Sequence, residues 1–203
     1  MQVRTQQNLI TLFISFVVLF CSASQAHTLE LFAKASASKN YTDEDRYTIS
    51  VSGGTGLALL IFSGVRIEGR YTVVSSLQNR LDVGSPSLIA TLNDIKTETN
   101  IYSVGLDIDI VGEKYVVQPF VFLGAGYIVS NRSYYLTPVG SSSASLINEP
   151  ETKGISANVG AGIRIRIAKT IAFEVEAYGY GLDPHKPNPL INIYGNAGIR
   201  IFM

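Results

Sequence analysis

The side chains that could do chemistry in this 203-residue chain are charged ones set at alternate positions inside apolar runs. In Gly154-Ile-Ser-Ala-Asn-Val-Gly-Ala-Gly-Ile-Arg-Ile-Arg-Ile167, Arg164 and Arg166 share one parity. After the tie Ala168-Lys169-Thr170, Glu174 and Glu176 recur at the same spacing. The same spacing places Glu30 and Lys34 together, Arg66 with Glu68 and Arg70, Asp107 with Asp109, and Arg200 alone near the carboxyl end. Paired carboxylates suggest general acid–base work, which needs a carboxyl of raised pKa. Here each carboxylate has an arginine candidate that would lower it. Mutual ion pairing is the chemistry expected of the set: arginine forks bond carboxylates in bidentate fashion, and an unpaired buried charge is costly. No catalytic, cofactor or metal residue is assigned. The two histidines, His27 and His185, have no partners at metal-ligand spacing.

Alternation of this kind is a strand signal, because successive side chains of a strand point to opposite faces. It predicts strands over Thr28–Ala37, Tyr47–Phe62, Val65–Val74, Thr97–Val111, Val117–Tyr127 and Gly154–Ile167, then on to Tyr180, and lastly over Leu190–Met203. Short ties near residues 63, 112 and 169 alternate with longer polar loops at 38–46, 75–96, 130–153 and 181–189. Val51-Ser-Gly-Gly-Thr-Gly56 imitates the glycine turn of a nucleotide fold, but the residues after it are too few for the helix such a turn must open.

Arg4, the apolar run Leu9–Phe20 and the small residues ending at Ala26 read as a cleaved signal peptide over residues 1–26. Cys21 lies within it, behind Phe20 rather than the small residue a lipobox wants, so the mature chain from His27 is expected to have no thiol or disulfide. With 16 basic and 16 acidic residues and no basic cluster, nucleic acid is excluded as a partner. No later run is long enough for a transmembrane helix, so a membrane location requires a closed barrel.

The fold class expected is therefore all-β: an eight-stranded antiparallel up-and-down transmembrane β-barrel over residues 27–203. Glycine and serine on the charged parity suit a narrow lumen, and the apolar parity would face lipid, with Tyr102, Tyr127 and Phe173 at its margins. An even strand count with alternating loop lengths puts both termini on the periplasmic side.

Two stretches carry a family resemblance over essentially the whole mature length. Pro119-Phe-Val-Phe-Leu-Gly-Ala-Gly-Tyr127 is similar to the Pro-aromatic and Gly-x-Gly-aromatic strand of small OmpA-like and OmpW-like outer-membrane barrels. The carboxyl end, with Asn196, Gly198, Ile201 and Met203 at the spacing of the terminal assembly signal, resembles theirs, Met203 standing where an aromatic is usual. The resemblance implies an outer-membrane monomer in contact with outer-membrane lipids. It also implies delivery by periplasmic chaperones to the barrel assembly machinery, and no peptidoglycan-binding domain. The function expected is structural or surface-interacting, in adhesion or envelope integrity, with specificity in the loops and above all in Ser130–Lys153. The alternative is a narrow channel or transporter for small or apolar molecules. A lipid A-modifying enzyme comes third, because His185 lacks the neighbouring serine of the deacylase family's His-x-Ser arrangement.

Overall fold

A computed structural model describes residues 29–43, 46–85, 88–112, 115–137, 143–182 and 190–203. The expected signal peptide, His27 and His185 lie outside these residues. The described chain forms β1 (Leu29–Asp43), β2 (Arg46–Phe62), β3 (Val65–Ser85), β4 (Leu88–Asp109), β5 (Val117–Thr137), β6 (Ser145–Asn148), β7 (Thr152–Ala168), β8 (Ile171–Leu182) and β9 (Leu190–Phe202). All pairings are antiparallel. The order β4-β3-β2-β1-β9-β8-β7-β5, with β4 paired again to β5, closes a barrel of eight staves, and β6 is a short addition to β5.

Closure leaves each stave with an inside and an outside, and the alternation in the sequence decides which residues go where. Leu59, Ile67, Leu106, Leu123 and Val159 stand opposite one another across β2, β3, β4, β5 and β7 on the outside. The outer apolar side chains stay open to the surroundings, Val104 at 50% and Leu123 at 56% exposure. The alternate positions face inward, and the charged ones toward the short turns are largely buried. At the β2–β3 turn Gly64 adopts a φ of 79°, a left-handed conformation that glycine takes without steric cost.

Several predicted loops are strand instead. β3 and β4 continue as a ladder through Gln78↔Ile95 to Ser85↔Leu88, across most of the span 75–96. β5 runs on to Thr137, β6 pairs with its outer half, and β1 extends past Ala37 to Asp43. Stretches such as Ser75–Asn79 and Ser130–Ser133 carry polar residues at both parities. Backbone hydrogen bonds hold these ladders, and without an apolar face the sequence shows no alternation to read.

Candidate functional site

The lumen is built in three storeys, the first an ionic layer at the end of the short turns. The register sets Arg66 opposite Asp107, Arg164 opposite Glu174, and Arg200 opposite Phe32, so side chains from six staves converge. Arg66 Nε donates to Glu30 Oε1 at 2.7 Å and its Nη1 to Asp109 Oδ2 at 2.7 Å. Arg164 Nη1 donates to Asp109 Oδ1 at 2.6 Å, its Nη2 to Asp107 Oδ2 at 3.1 Å, and its Nε to Glu174. Arg200 bonds Glu174 through Nε, Glu30 Oε2 at 2.9 Å through Nη1 and Glu68 Oε2 at 2.7 Å through Nη2. Arg70 bonds Glu68 and, at 2.7 Å, Glu176 Oε1; Lys34 Nζ lies 2.8 Å from Glu176 Oε2 and 3.0 Å from Glu174 Oε2. The structure thus brings eleven of the twelve expected charges into one lattice. Arg66, Arg164, Arg200, Glu68, Asp107 and Glu174 have at most 1% of their surface exposed.

Arg166 stands apart from that lattice among the described residues. Its guanidinium carbon lies 5.0 Å from the centre of the Phe202 ring, and its Nε makes no hydrogen bond. At the lumen mouth it is only partly buried. Each carboxylate of the lattice lies within ion-pair distance of at least one cation.

Phenylalanines, which the charge pattern does not reveal, pack this layer. Arg70 Cζ sits 3.6 Å from the Phe122 ring centre, Arg200 Cζ 4.7 Å from that of Phe32, and Arg164 Cζ 4.8 Å from that of Phe120. Such cation–π contacts let an arginine keep its charge where water is excluded. The rings fit because glycines face them. A Cβ at Gly56 would lie 2.3 Å from Phe32 Cζ, and one at Gly162 would lie 2.8 Å from Phe120 Cζ. Phe32 is paired with Gly56 and Phe120 with Gly162 across the ladders. An aromatic opposite a glycine at lumen parity was the available sequence signal.

Above the ions lies an aromatic floor. Tyr178 and Tyr194 have ring centres 5.5 Å apart, Tyr180 and Tyr194 meet edge to face at 5.9 Å, and Ile101, Phe122 and Ile128 pack with them. A gap of about 10 Å³ lies between Arg70, Glu176, Tyr178 and Asn196. That is room for about one water. The third storey is an open cup of about 640 Å³ lined largely by hydroxyl side chains.

Of the expected assembly signal, Asn196, Gly198 and Ile201 lie on β9 at the barrel seam, and Met203 directly follows it. Asn196 is buried in the lumen and accepts from Ser52 Oγ at 3.1 Å, whereas Ile201 and Met203 are exposed on the outside. Met203 N–H donates to Leu29 C=O at 2.8 Å, which ties the two ends of the barrel together. Gly198 is required sterically as well: a Cβ there would lie 2.1 Å from the Ala33 carbonyl oxygen.

No family profile and no curated protein sequence matches the chain. Among solved structures it is similar to Neisserial surface protein A, at 16% identity over 86% of this chain and 95% of that one, with a TM-score of 0.47. It is similar to the N-terminal β-barrel domain of Pseudomonas aeruginosa OprF, at 14% identity over 87% and 97% of the two chains, TM-score 0.43. It is also similar to Ail, the attachment invasion locus protein of Yersinia pestis, solved with the heparin analogue sucrose octasulfate, at 14% identity over 87% and 97%, TM-score 0.44. These neighbours are small outer-membrane barrels, and the closed eight-stave barrel of this chain resembles them.

Proposed function

We propose that the protein is an integral outer-membrane barrel whose bore is sealed by the ionic layer and whose outer end serves as a surface-interaction scaffold. The observation that carries this reading is the combination of an apolar outside with charged residues buried inside. A contiguous apolar patch on a soluble monomer rarely exceeds a few hundred Å². Here the apolar rows cross from stave to stave. Lipid is the surrounding that such a band fits, and closure of the barrel satisfies the backbone there. Tyr71, Tyr102 and Tyr127, opposite one another on the outside of β3, β4 and β5, suit the outer interface, where an amphipathic ring has both lipid and water within reach.

In this reading residues 1–26 direct export, the seam residues Asn196, Gly198, Ile201 and Met203 are presented to the assembly machinery, and the protein works as a monomer. The termini and short turns face the periplasm, while the tall β3–β4–β5 wall and β6 stand outside. The sealed bore favours adhesion or envelope integrity over transport. Fractionation and gel mobility test the membrane assignment: the protein is expected in the outer-membrane fraction, with a mobility that changes on boiling. Recovery from the soluble periplasm with no such change would end it. Orientation is tested with Ser145→Cys, since the only native cysteine is Cys21. A membrane-impermeant maleimide should label that variant on intact cells.

A further inference from the structure

We infer that the outer cup is a binding site for a neutral saccharide unit, entered from above or sideways through the barrel seam. The inference rests on the proposed orientation only for where the sugar comes from; the chemistry of the cup stands independently.

Register builds the lining. Ser38, Ser50, Ser76 and Thr97 stand opposite one another on β1, β2, β3 and β4, and the row ends on β5 at Arg132. One row deeper, Ser36, Ser52, Val74, Thr99 and Ser130 repeat the arrangement on the same five strands. Hydroxyls both donate and accept, so stacked rows of them match a ligand that is itself a frame of hydroxyls. Arg132 is the charged residue among the described lining, and its Nη1 lies 3.6 Å from Glu149 Oε1. A site of this make-up offers an anion little and a polyol much.

The floor adds an apolar surface. Tyr180 and Tyr194 line the bottom of the cup, and Tyr194 Oη is buried without a protein hydrogen bond. Aromatic rings give the C–H face of a sugar a surface to lie on. The volume, about 640 Å³, falls within the roughly 300–1,000 Å³ of small-molecule sites.

The seam supplies a side entrance. The β1–β9 ladder runs from Glu30↔Phe202 only to Ala35↔Ala197, although β1 continues to Asp43 and β9 begins at Leu190. Ile193, on the outward parity and 75% exposed, lies along this unpaired stretch and also lines the cup. A sugar carried on a lipid could enter by this slot with its chains still outside.

The test uses the full mature chain, refolded, in detergent and in nanodiscs. Binding is followed by saturation-transfer NMR and by tyrosine emission, which is unmasked because the chain has no tryptophan. The probes are maltotriose, a neutral glucosyl-diacylglycerol and a sulfated disaccharide. Binding of maltotriose, or of the glycolipid alone, supports the inference and distinguishes the free from the lipid-borne source. Ser76→Leu with Thr97→Leu should weaken it by about tenfold or more, as lost hydrogen bonds and filled space dictate. Ser50→Leu is a second variant should the first lose its heat-dependent mobility. Binding of neither neutral probe, preference for the sulfated one, or wild-type affinity in a folded variant overturns the inference. Such a failure leaves the sealed-bore reading untouched, because that reading is decided by conductance and fractionation.

Discussion

The two ends of the lumen are both polar, and they solve the problem of a polar interior in opposite ways. At the short-turn end, charge is packed until a gap of only about 10 Å³ is left beside Arg70 and Glu176: Arg200 alone touches Glu30, Glu68 and Glu174, and Phe32 covers it. At the far end hydroxyls line a space of about 640 Å³ and are largely free of ionic partners. The difference follows from the neighbours. Long charged side chains from opposing staves bridge the bore and interlock where glycines admit phenylalanines. Serine and threonine are too short to cross the bore, so their storey stays hollow. A polar barrel interior can thus be a plug or a receptacle, and side-chain length decides between them.

The contrast can be broken most severely at Glu174. Replacing it with alanine leaves Arg164, Arg200 and Lys34 short of a shared buried carboxylate. Removing one partner of a buried pair costs about 3–5 kcal/mol. The urea midpoint of the heat-modifiable form should fall accordingly. Gly56→Ala comes next. Its Cβ would meet the Gly69 carbonyl oxygen at 2.2 Å, whereas one at Gly53 meets nothing within 4 Å. Overpacking of this sort costs about 1–3 kcal/mol, so Gly56→Ala should unfold at lower urea and Gly53→Ala should not.

Arg166→Gln sharpens the boundary of the lattice. It removes a contact to Phe202 at the mouth and no ion pair among the described residues, and such exposed contacts contribute about 0.5–1 kcal/mol. Its unfolding curve should lie far closer to wild type than that of Arg164→Gln. Smallest of all is Ser76→Ala in the cup, expected within about 0.5 kcal/mol of wild type by the same urea series. A loss there comparable to that of Glu174→Ala would erase the distinction between plug and receptacle.

Much of the barrel wall could be read from the sequence because lipid-facing and lumen-facing residues must alternate, as Ile163, Arg164 and Ile165 do. The charges could be read for the same reason, since an arginine at lumen parity needs a partner. Arg166 shares that parity with Arg164, yet one step nearer the end of β7 the lumen opens, and parity carries no information about depth. Phe32, Phe120 and Phe122 were harder: a phenylalanine among glycines looks like an exception until the register places each ring over a neighbour's missing side chain. The outer extensions of β3, β4 and β5 left no periodic trace, because Ser75–Asn79 is polar at both parities. The hydroxyl cup became visible only when register lined up Ser38, Ser50, Ser76 and Thr97, residues far apart in the chain.

The central claim is that the ionic layer closes the bore, and single-molecule conductance in planar bilayers tests it most directly. The wild-type barrel should insert without stable ion-conducting openings. Arg164→Gln and Arg200→Gln, each of which frees carboxylates in the layer, should introduce a leak that Arg166→Gln does not. Stable openings in the wild type, or a leak from Arg166→Gln equal to that from Arg164→Gln, would contradict the account.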